Sequence, residues 1–246
     1  MKYSKVKDFF NEIAQFYDII MNDVDYKEWA FYIDEIIKKF QGKKKILDLG
    51  CGTGNLDIIL KNKGYDIIGL DMSFNMLKLA KEKNLKNLVN ASFFKIPFKN
   101  EQFDVVISTF DSLNNVNDID ELKKVFLEAY RVLKIGGIFT FDLNTIYVFK
   151  TLWNDYLKVS EVKNLYIIYK SEFIEPDMCL LKITIFQELE NELYKKYNFE
   201  ILEKAFEIEK IISSLKINFK DVFAFEHLSF RKADENNNRV QFVAIK

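Results

Sequence analysis

The segment Ile46-Leu47-Asp48-Leu49-Gly50-Cys51-Gly52-Thr53-Gly54 decides how this chain folds. Its apolar half, headed by Lys45, reads as a short strand buried on both faces, the form that parallel strands take. Glycines directly behind such a strand let the backbone turn sharply and approach a ligand without Cβ contacts. The next apolar run, Tyr65–Leu70, closes on Gly69-Leu70-Asp71, with the acid 21 residues beyond Gly50. An acid in that place accepts both hydroxyls of a ribose in dinucleotide-binding folds. The spacing here is G-x-G-x-G, whereas the dehydrogenase fingerprint G-x-G-x-x-G requires Gly or Ala at position 55, where this chain has Asn55. Glycines serving only a tight turn leave the acid unaccounted for, so the two features together point to a nucleoside ligand.

Working outward, 4–21 and 26–40 read as amphipathic helices; in the second, Trp29, Ile33, Ile36, Ile37 and Phe40 recur at helical spacing. Asn55–Lys63 is helical, and Ser73 is placed to cap a helix through Lys83, its hydroxyl accepting a first-turn N–H. Leu88–Val89, Val105–Ser108 and Ile138–Leu143 read as strands. Asp118–Leu133 reads as a helix with an apolar face (Leu122, Val125, Phe126, Ala129, Leu133) that stops before Gly136-Gly137. Strand and helix alternate from 45 to 143, which predicts βαβ units and a parallel sheet covered on both faces. Beyond Asn144 the texture changes. A short helix over Thr145–Tyr156 precedes Tyr166–Ile174, Leu180–Leu189 and Leu193–Leu202, where aromatic and β-branched residues mixed with charges predict a small antiparallel sheet with one wet face. Glu207–Leu215 is helical, and Phe219–His227 and Arg239–Ile245 close the chain as two strands. Residues 160–204 thus read as an insertion into one α/β domain.

Composition narrows the classes. Of 246 residues, 49% are hydrophobic and 30% charged, the balance of a globular domain with a sizeable core. His227 is the single histidine, which excludes metal sites and catalytic arrangements needing two. Cys51 and Cys179 are too few for a disulfide framework. The start, MKYSKVKDFF, has no signal-peptide core, and no apolar run approaches the roughly 18 residues of a membrane span, so the expectation is a reduced, cytoplasmic protein without a membrane partner. A net charge of −1 lacks the global pull of a nucleic-acid binder, while a local basic patch stays open. The densest basic run, Lys43-Lys44-Lys45, reads as a solvated strand entrance. All 8 glycines lie between Gly42 and Gly137, and the last 109 residues have none, so any ligand there is met by side chains.

These residues carry a family resemblance. Asp48–Gly54 resembles the first motif of the class I S-adenosylmethionine-dependent methyltransferases, and Asp71 matches their ribose-binding acid. Phe103-Asp104-Val105-Val106-Ile107-Ser108 resembles their fourth-strand motif, Leu133-Lys134-Ile135-Gly136-Gly137 the turn before their fifth strand, and the last two strands their terminal hairpin. The likeness covers 40–145 and 205–246. Phe16-Tyr17-Asp18, Val24–Trp29, Asp111-Ser112-Leu113-Asn114 and Phe141-Asp142-Leu143-Asn144 are similar to an uncharacterised bacterial subgroup of that family. The resemblance implies a Rossmann-like seven-stranded, mostly parallel sheet with an antiparallel terminal hairpin and helices on both faces. It implies a single domain over 1–246, with 1–40 as an N-terminal helical cover and 160–204 as a small antiparallel β insertion or lid.

It also implies S-adenosyl-L-methionine as cofactor, held by Tyr17, Asp48, Gly50, Cys51, Gly52, Gly54, Asp71, Met72, Ser92, Phe93 and Phe110, with no metal. Ser92 stands where the family often has an Asp for the adenine amino group. Tyr17 is expected to cover the cofactor, bonding its carboxylate or facing its sulfonium, with ordinary packing as the alternative. Asp111 is the catalytic candidate, orienting or deprotonating the acceptor or anchoring the donor's ammonium; forming a turn or cap with Ser112 is the alternative. Asp142 and Asn144 line the site or cap the next helix. Tyr26, Trp29 and the lone His227 are read as structural. The expected activity is methyl transfer to N or O of a small-molecule acceptor by a monomer or homodimer. A tRNA or protein acceptor, or a cofactor-binding module without turnover, stays open.

Overall fold

The computed structural model describes residues 2–40 and 44–246. Gly42, and Lys43 at the head of the basic run, lie outside the described residues. Two helices, α1 (Lys2–Ile20) and α2 (Tyr26–Phe40), lead into β1 (Lys45–Leu49), α3 (Asn55–Asn62), β2 (Asp66–Asp71), α4 (Phe74–Glu82) and β3 (Leu88–Asn90). Then follow β4 (Phe103–Ser108), α5 (Ile119–Val132), β5 (Leu133–Asn144) and α6 (Ile146–Thr151). A second sheet, β6 (Tyr156–Val162), β7 (Leu165–Ile174), β8 (Met178–Glu188) and β9 (Tyr194–Lys204), precedes α7 (Ile208–Leu215), β10 (Asp221–Glu226) and β11 (Arg239–Ile245).

The main sheet has seven strands in the order β10-β11-β5-β4-β1-β2-β3. β1 to β5 pair in parallel, whereas β11 runs antiparallel to β5 and β10 to β11. This is the expected Rossmann-like sheet with an antiparallel terminal hairpin. Every residue of β4 is buried, which is why its sequence shows no polar alternation. Val105 and Ile107 pack with Ile33, Ile37, Leu56 and Leu60 of α2 and α3, while Val106 joins Val125, Phe126 and Ile211 of α5 and α7 on the other face.

Three local features differ from expectation. α5 ends at Val132, and β5 has already begun by Gly136-Gly137, so those glycines do not stop a helix. They sit where the β4–β5 register shifts between Phe103 and Val105: Gly136 has φ +73°, and a Cβ on Gly137 would stand 2.9 Å from the Asp104 carbonyl oxygen. A β-bulge at that spot requires glycine. The helix expected over Thr145–Tyr156 is shorter, capped by Thr145 Oγ1 accepting from Val148 N at 3.3 Å and over by Thr151. Its tail instead becomes β6, a largely exposed edge strand whose mixed sequence lacks a clean period.

The second sheet is antiparallel in the order β6-β7-β8-β9. Its inner face, with Leu165, Ile167, Ile183, Ile185, Phe199 and Ile201, packs on Phe9, Ile13 and Phe16 of α1 and on Met76 of α4. α1 is thus held between the inserted sheet and the main domain. Among the described residues, no helix is long and apolar enough to cross a membrane.

Candidate active site

Behind β1 the chain turns through Gly50, Gly52 and Gly54 at φ +81°, +55° and +74°, a region that disfavours side chains. The amides of Gly50 and Cys51 both donate to the Leu70 carbonyl, at 2.7 and 3.2 Å, tying the loop to the end of β2. A Cβ on Gly50 would come within 2.9 Å of Ser112 Oγ, and one on Gly54 would collide with Leu85 Cδ1. Gly52 has open space except for the Tyr17 ring, 3.9 Å from its notional Cβ.

Asp71 ends β2 at 8% exposure. Its Oδ2 accepts from Gly52 N at 2.9 Å and its Oδ1 from Ser73 N at 2.7 Å. Burial raises its proton affinity, and those backbone donors oppose the rise. A carboxylate offers about four acceptor positions, more than these backbone donors use, which leaves Asp71 able to accept from a ribose. Deeper in, burial and the neighbouring Asp57 push Asp48 well above the usual carboxylate range, and burial lifts Asp57 to about 6. Asp48 Oδ1 is buried without a hydrogen-bond partner. The glycine cradle, the spare acceptor positions on Asp71 and the orphan oxygen of Asp48 together fit an adenosyl group with a polar tail.

α1 closes over the loop. Asp18 Oδ1 accepts from Thr53 Oγ1 at 2.6 Å and Asn55 Nδ2 at 3.1 Å, and Asp18 Oδ2 meets Lys83 Nζ at 2.6 Å. Against burial, these partners hold Asp18 below the usual carboxylate range. Asn11 Oδ1 accepts from Ser73 Oγ at 2.8 Å, adding a second tie to the start of α4.

Under this cover lies a cavity of about 350 Å³. Tyr17, Gly50, Gly52, Asp71, Met72, Phe93, Phe110 and Asp111 line it, together with Phe9, Phe10 and Ile13 of α1 and Leu181, Ile183, Ile201 and Glu203 of the second sheet. A smaller recess of about 30 Å³ adjoins it, lined by Asp48, Cys51, Gly54, Tyr17, Tyr26 and Phe110. Ser92 reaches neither; its hydroxyl accepts from Phe94 N at 3.3 Å, and its neighbours Ala91 and Phe93 line the wall instead. Burial, then nearby Tyr26, Asp111 and Asp71, raises the Tyr17 phenol above its ordinary value, so it stays a hydrogen-bond donor.

Phe110 and Asp111 hold φ +56° and +52°, unfavourable for side-chain-bearing residues and common where a site dictates backbone shape. Asp111 is at once the N-terminal residue of a 3-10 turn (Ser112–Asn115), without a side-chain cap, and a partner of Arg239, Oδ1 to Nη2 at 2.7 Å. Arg239 also meets fully buried Asp142 at 2.6 Å, and Asp142 Oδ2 accepts from Asp111 N at 2.9 Å. Asp142 therefore supports the site rather than capping α6. Asn114 Nδ2 donates to the carbonyls of Asn144 (3.1 Å) and Lys204 (2.8 Å), fixing the root of β9 to the main sheet.

Trp29 stacks on Phe110 at 4.0 Å, carries the Arg239 guanidinium 5.3 Å over its ring and lines the cavity. His227 packs 4.2 Å from Trp29; burial, then Arg239, lowers it to about 3, leaving it neutral. Sequence reasoning missed Arg239 and Glu203. Arg239 carries no local signal, whereas Glu203 follows Phe199 and Ile201 at strand alternation and was detectable as an acid on an apolar face. Among the described residues, no group of His, Cys, Asp and Glu is arranged to hold a metal ion.

Residues 47–141 match the methyltransferase domain family model. A protein of Geobacillus sp. strain WCH70 named for methyltransferase activity is 27% identical over 245 residues, 96% of this chain and 99% of that one. The demethylmenaquinone methyltransferase of Staphylococcus carnosus is 34% identical over 63% of this chain and 67% of its own length. The crystal structure of a S-adenosylmethionine-dependent methyltransferase from Clostridium acetobutylicum superposes with a TM-score of 0.81 at 29% identity, covering 96% of this chain and 98% of that one.

Proposed function

Because this chain belongs to the class I S-adenosylmethionine-dependent methyltransferases, we propose that it methylates a nitrogen or oxygen of a small molecule held between the glycine loop and the inserted sheet. The observation that carries this reading is the covered, largely apolar cavity running from Gly50, Gly52 and Asp71 to Leu181, Ile183 and Glu203. A tRNA arm or a folded protein needs an open basic or flat face; the α1 cover and the second sheet suit a small guest.

When bound, the cofactor supplies a methyl group on a sulfonium, so in-line placement at roughly 3–3.5 Å does much of the catalytic work. The residues here supply that placement. Asp71 would hold the ribose hydroxyls, the Gly50–Gly54 backbone would cradle the nucleoside, and Met72 and Phe93 would offer apolar contact to it. Asp48 and Cys51 line the inner recess. Tyr17 covers the site from α1, its protonated phenol free to donate. Burial raises the proton affinity of Asp111 against its pairing with Arg239, and its fixed carboxylate suits an ammonium group. The second sheet serves as the lid that selects the acceptor.

Crystals grown with S-adenosylhomocysteine test this directly. The adenosine is expected beside Gly50–Gly54 with both ribose hydroxyls on Asp71; density elsewhere, or none at saturating ligand, overturns the reading.

A further inference from the structure

The wall contributed by the second sheet contains one side chain that packing does not explain. Along β9 burial alternates, so Phe199, Ile201 and Glu203 face inward while Glu200 is exposed. The position that continues a phenylalanine and an isoleucine holds a carboxylate at 6% exposure. An acid there is costly unless it is neutral or paired. Glu203 Oε2 has no hydrogen-bond partner among the described residues, and the side chain lines the cavity. Burial, then the charge of Asp111, raises Glu203 to about 8 against the opposing influence of Arg239 and Asn144.

The charges around the cavity carry the argument further. Its charged lining residues are Asp71, Asp111, Glu203 and Arg239. The guanidinium is committed to Asp111 and Asp142, so no free cation faces Glu203 among the described residues. An acceptor bearing a phenolate or carboxylate would add a like charge to this buried acidic group, whereas a cation would neutralise it. Beside Glu203, Leu181, Ile183 and Ile201 offer only apolar contact.

We propose that this end of the cavity is an amine site: the acceptor has an apolar body and a primary or secondary ammonium group, and Glu203 binds that group and takes its proton. The inference rests on the methyltransferase reading and names its acceptor. On binding, the Glu203 carboxyl releases its proton to solvent and pairs with the ammonium. One N–H proton then passes to Glu203 Oε2, and the freed lone pair forms the new bond to the methyl carbon as the carbon–sulfur bond breaks, its electron pair going to sulfur. The products are the methylated ammonium and a neutral thioether, with Glu203 protonated as at the start.

Calorimetry tests it in two stages. S-adenosylhomocysteine is first titrated into the wild-type protein and E203Q, and both are expected to bind it equally. Hexylamine, 1-hexanol and hexanoate are then titrated into each complex. The wild type is expected to bind hexylamine about tenfold more tightly than 1-hexanol and to reject hexanoate, and E203Q to lose that preference, as a charged hydrogen bond requires. Hexanol or hexanoate binding as tightly as the amine, no binding of any of the three, or an unchanged preference in E203Q overturns the amine site. Failure of the wild type to bind S-adenosylhomocysteine overturns instead the reading on which it rests. With S-adenosylmethionine present, N-methylhexylamine detected by mass spectrometry is expected from the wild type and is strongly reduced in E203Q.

Discussion

At Arg239 a single guanidinium answers two carboxylates, Asp111 and Asp142, that arrive from different strand ends. The β5–β11 register pairs Arg239 with Asn144 and Gln241 with Asp142, which puts Arg239 diagonally beside Asp142. The same guanidinium keeps His227 from charging. The histidine falls to about 3 because burial, first, and Arg239, second, penalise the imidazolium. The unfolded chain protonates near 6.5. The stabilising contribution of neutral His227 is therefore complete above about 6.5 and is lost as pH falls toward 3. Its effect on folding free energy approaches 1.4 kcal/mol per pH unit within that window. Urea unfolding at pH 6.5 and 5 is expected to show wild type losing about 2 kcal/mol more than H227F, whose ring keeps the contact with Trp29. Equal losses would refute the account.

At the scale of elements, α1 is the part that local sequence describes as an amphipathic helix and the fold uses as a cover. Its apolar face packs on the second sheet through Phe9, Ile13 and Phe16, and its last turns reach the glycine loop through Asp18. Asp18→Ala removes the acceptor shared by Thr53, Asn55 and Lys83. Loss of charged hydrogen bonds at a loop that lines the cavity is expected to weaken S-adenosylhomocysteine binding by about tenfold, near 1.4 kcal/mol. Hydrogen exchange in 10–20 is expected to accelerate in the same variant; unchanged exchange and affinity would separate α1 from the site. The elements from 45 to 143 were legible because their helices bury a periodic face and their central strands are short, continuous apolar runs. β6 was not, since an exposed edge strand has no buried face to set a period. Gly136-Gly137 were legible as a break, but the type of break, a bulge, depends on β4 beside it.

For the whole molecule, the glycine loop and the cavity wall opposite it come from different parts of the chain, joined by α1 above and by Asn114 below. A ligand that binds only when both parts are in place stabilises the folded state by mass action. S-adenosylhomocysteine at 100 times its Kd adds about 2.7 kcal/mol, and for a chain of this size thermal denaturation is expected to shift upward by about 5–10 °C. No shift at that occupancy would contradict a site built across the fold. By itself, the sequence determined the α/β class, the glycine loop with Asp71 at the end of the next strand, and the insertion. Those features are written within short windows, as periodicity and as backbone shapes that require glycine. Only the tertiary structure decided that Glu203 and Arg239 line the same cavity as Gly50, that Ser92 stays outside it, and that Trp29 is part of its wall. Local pattern specifies which face of an element is buried, whereas the partner it meets is set by strand register and helix packing across a hundred residues or more.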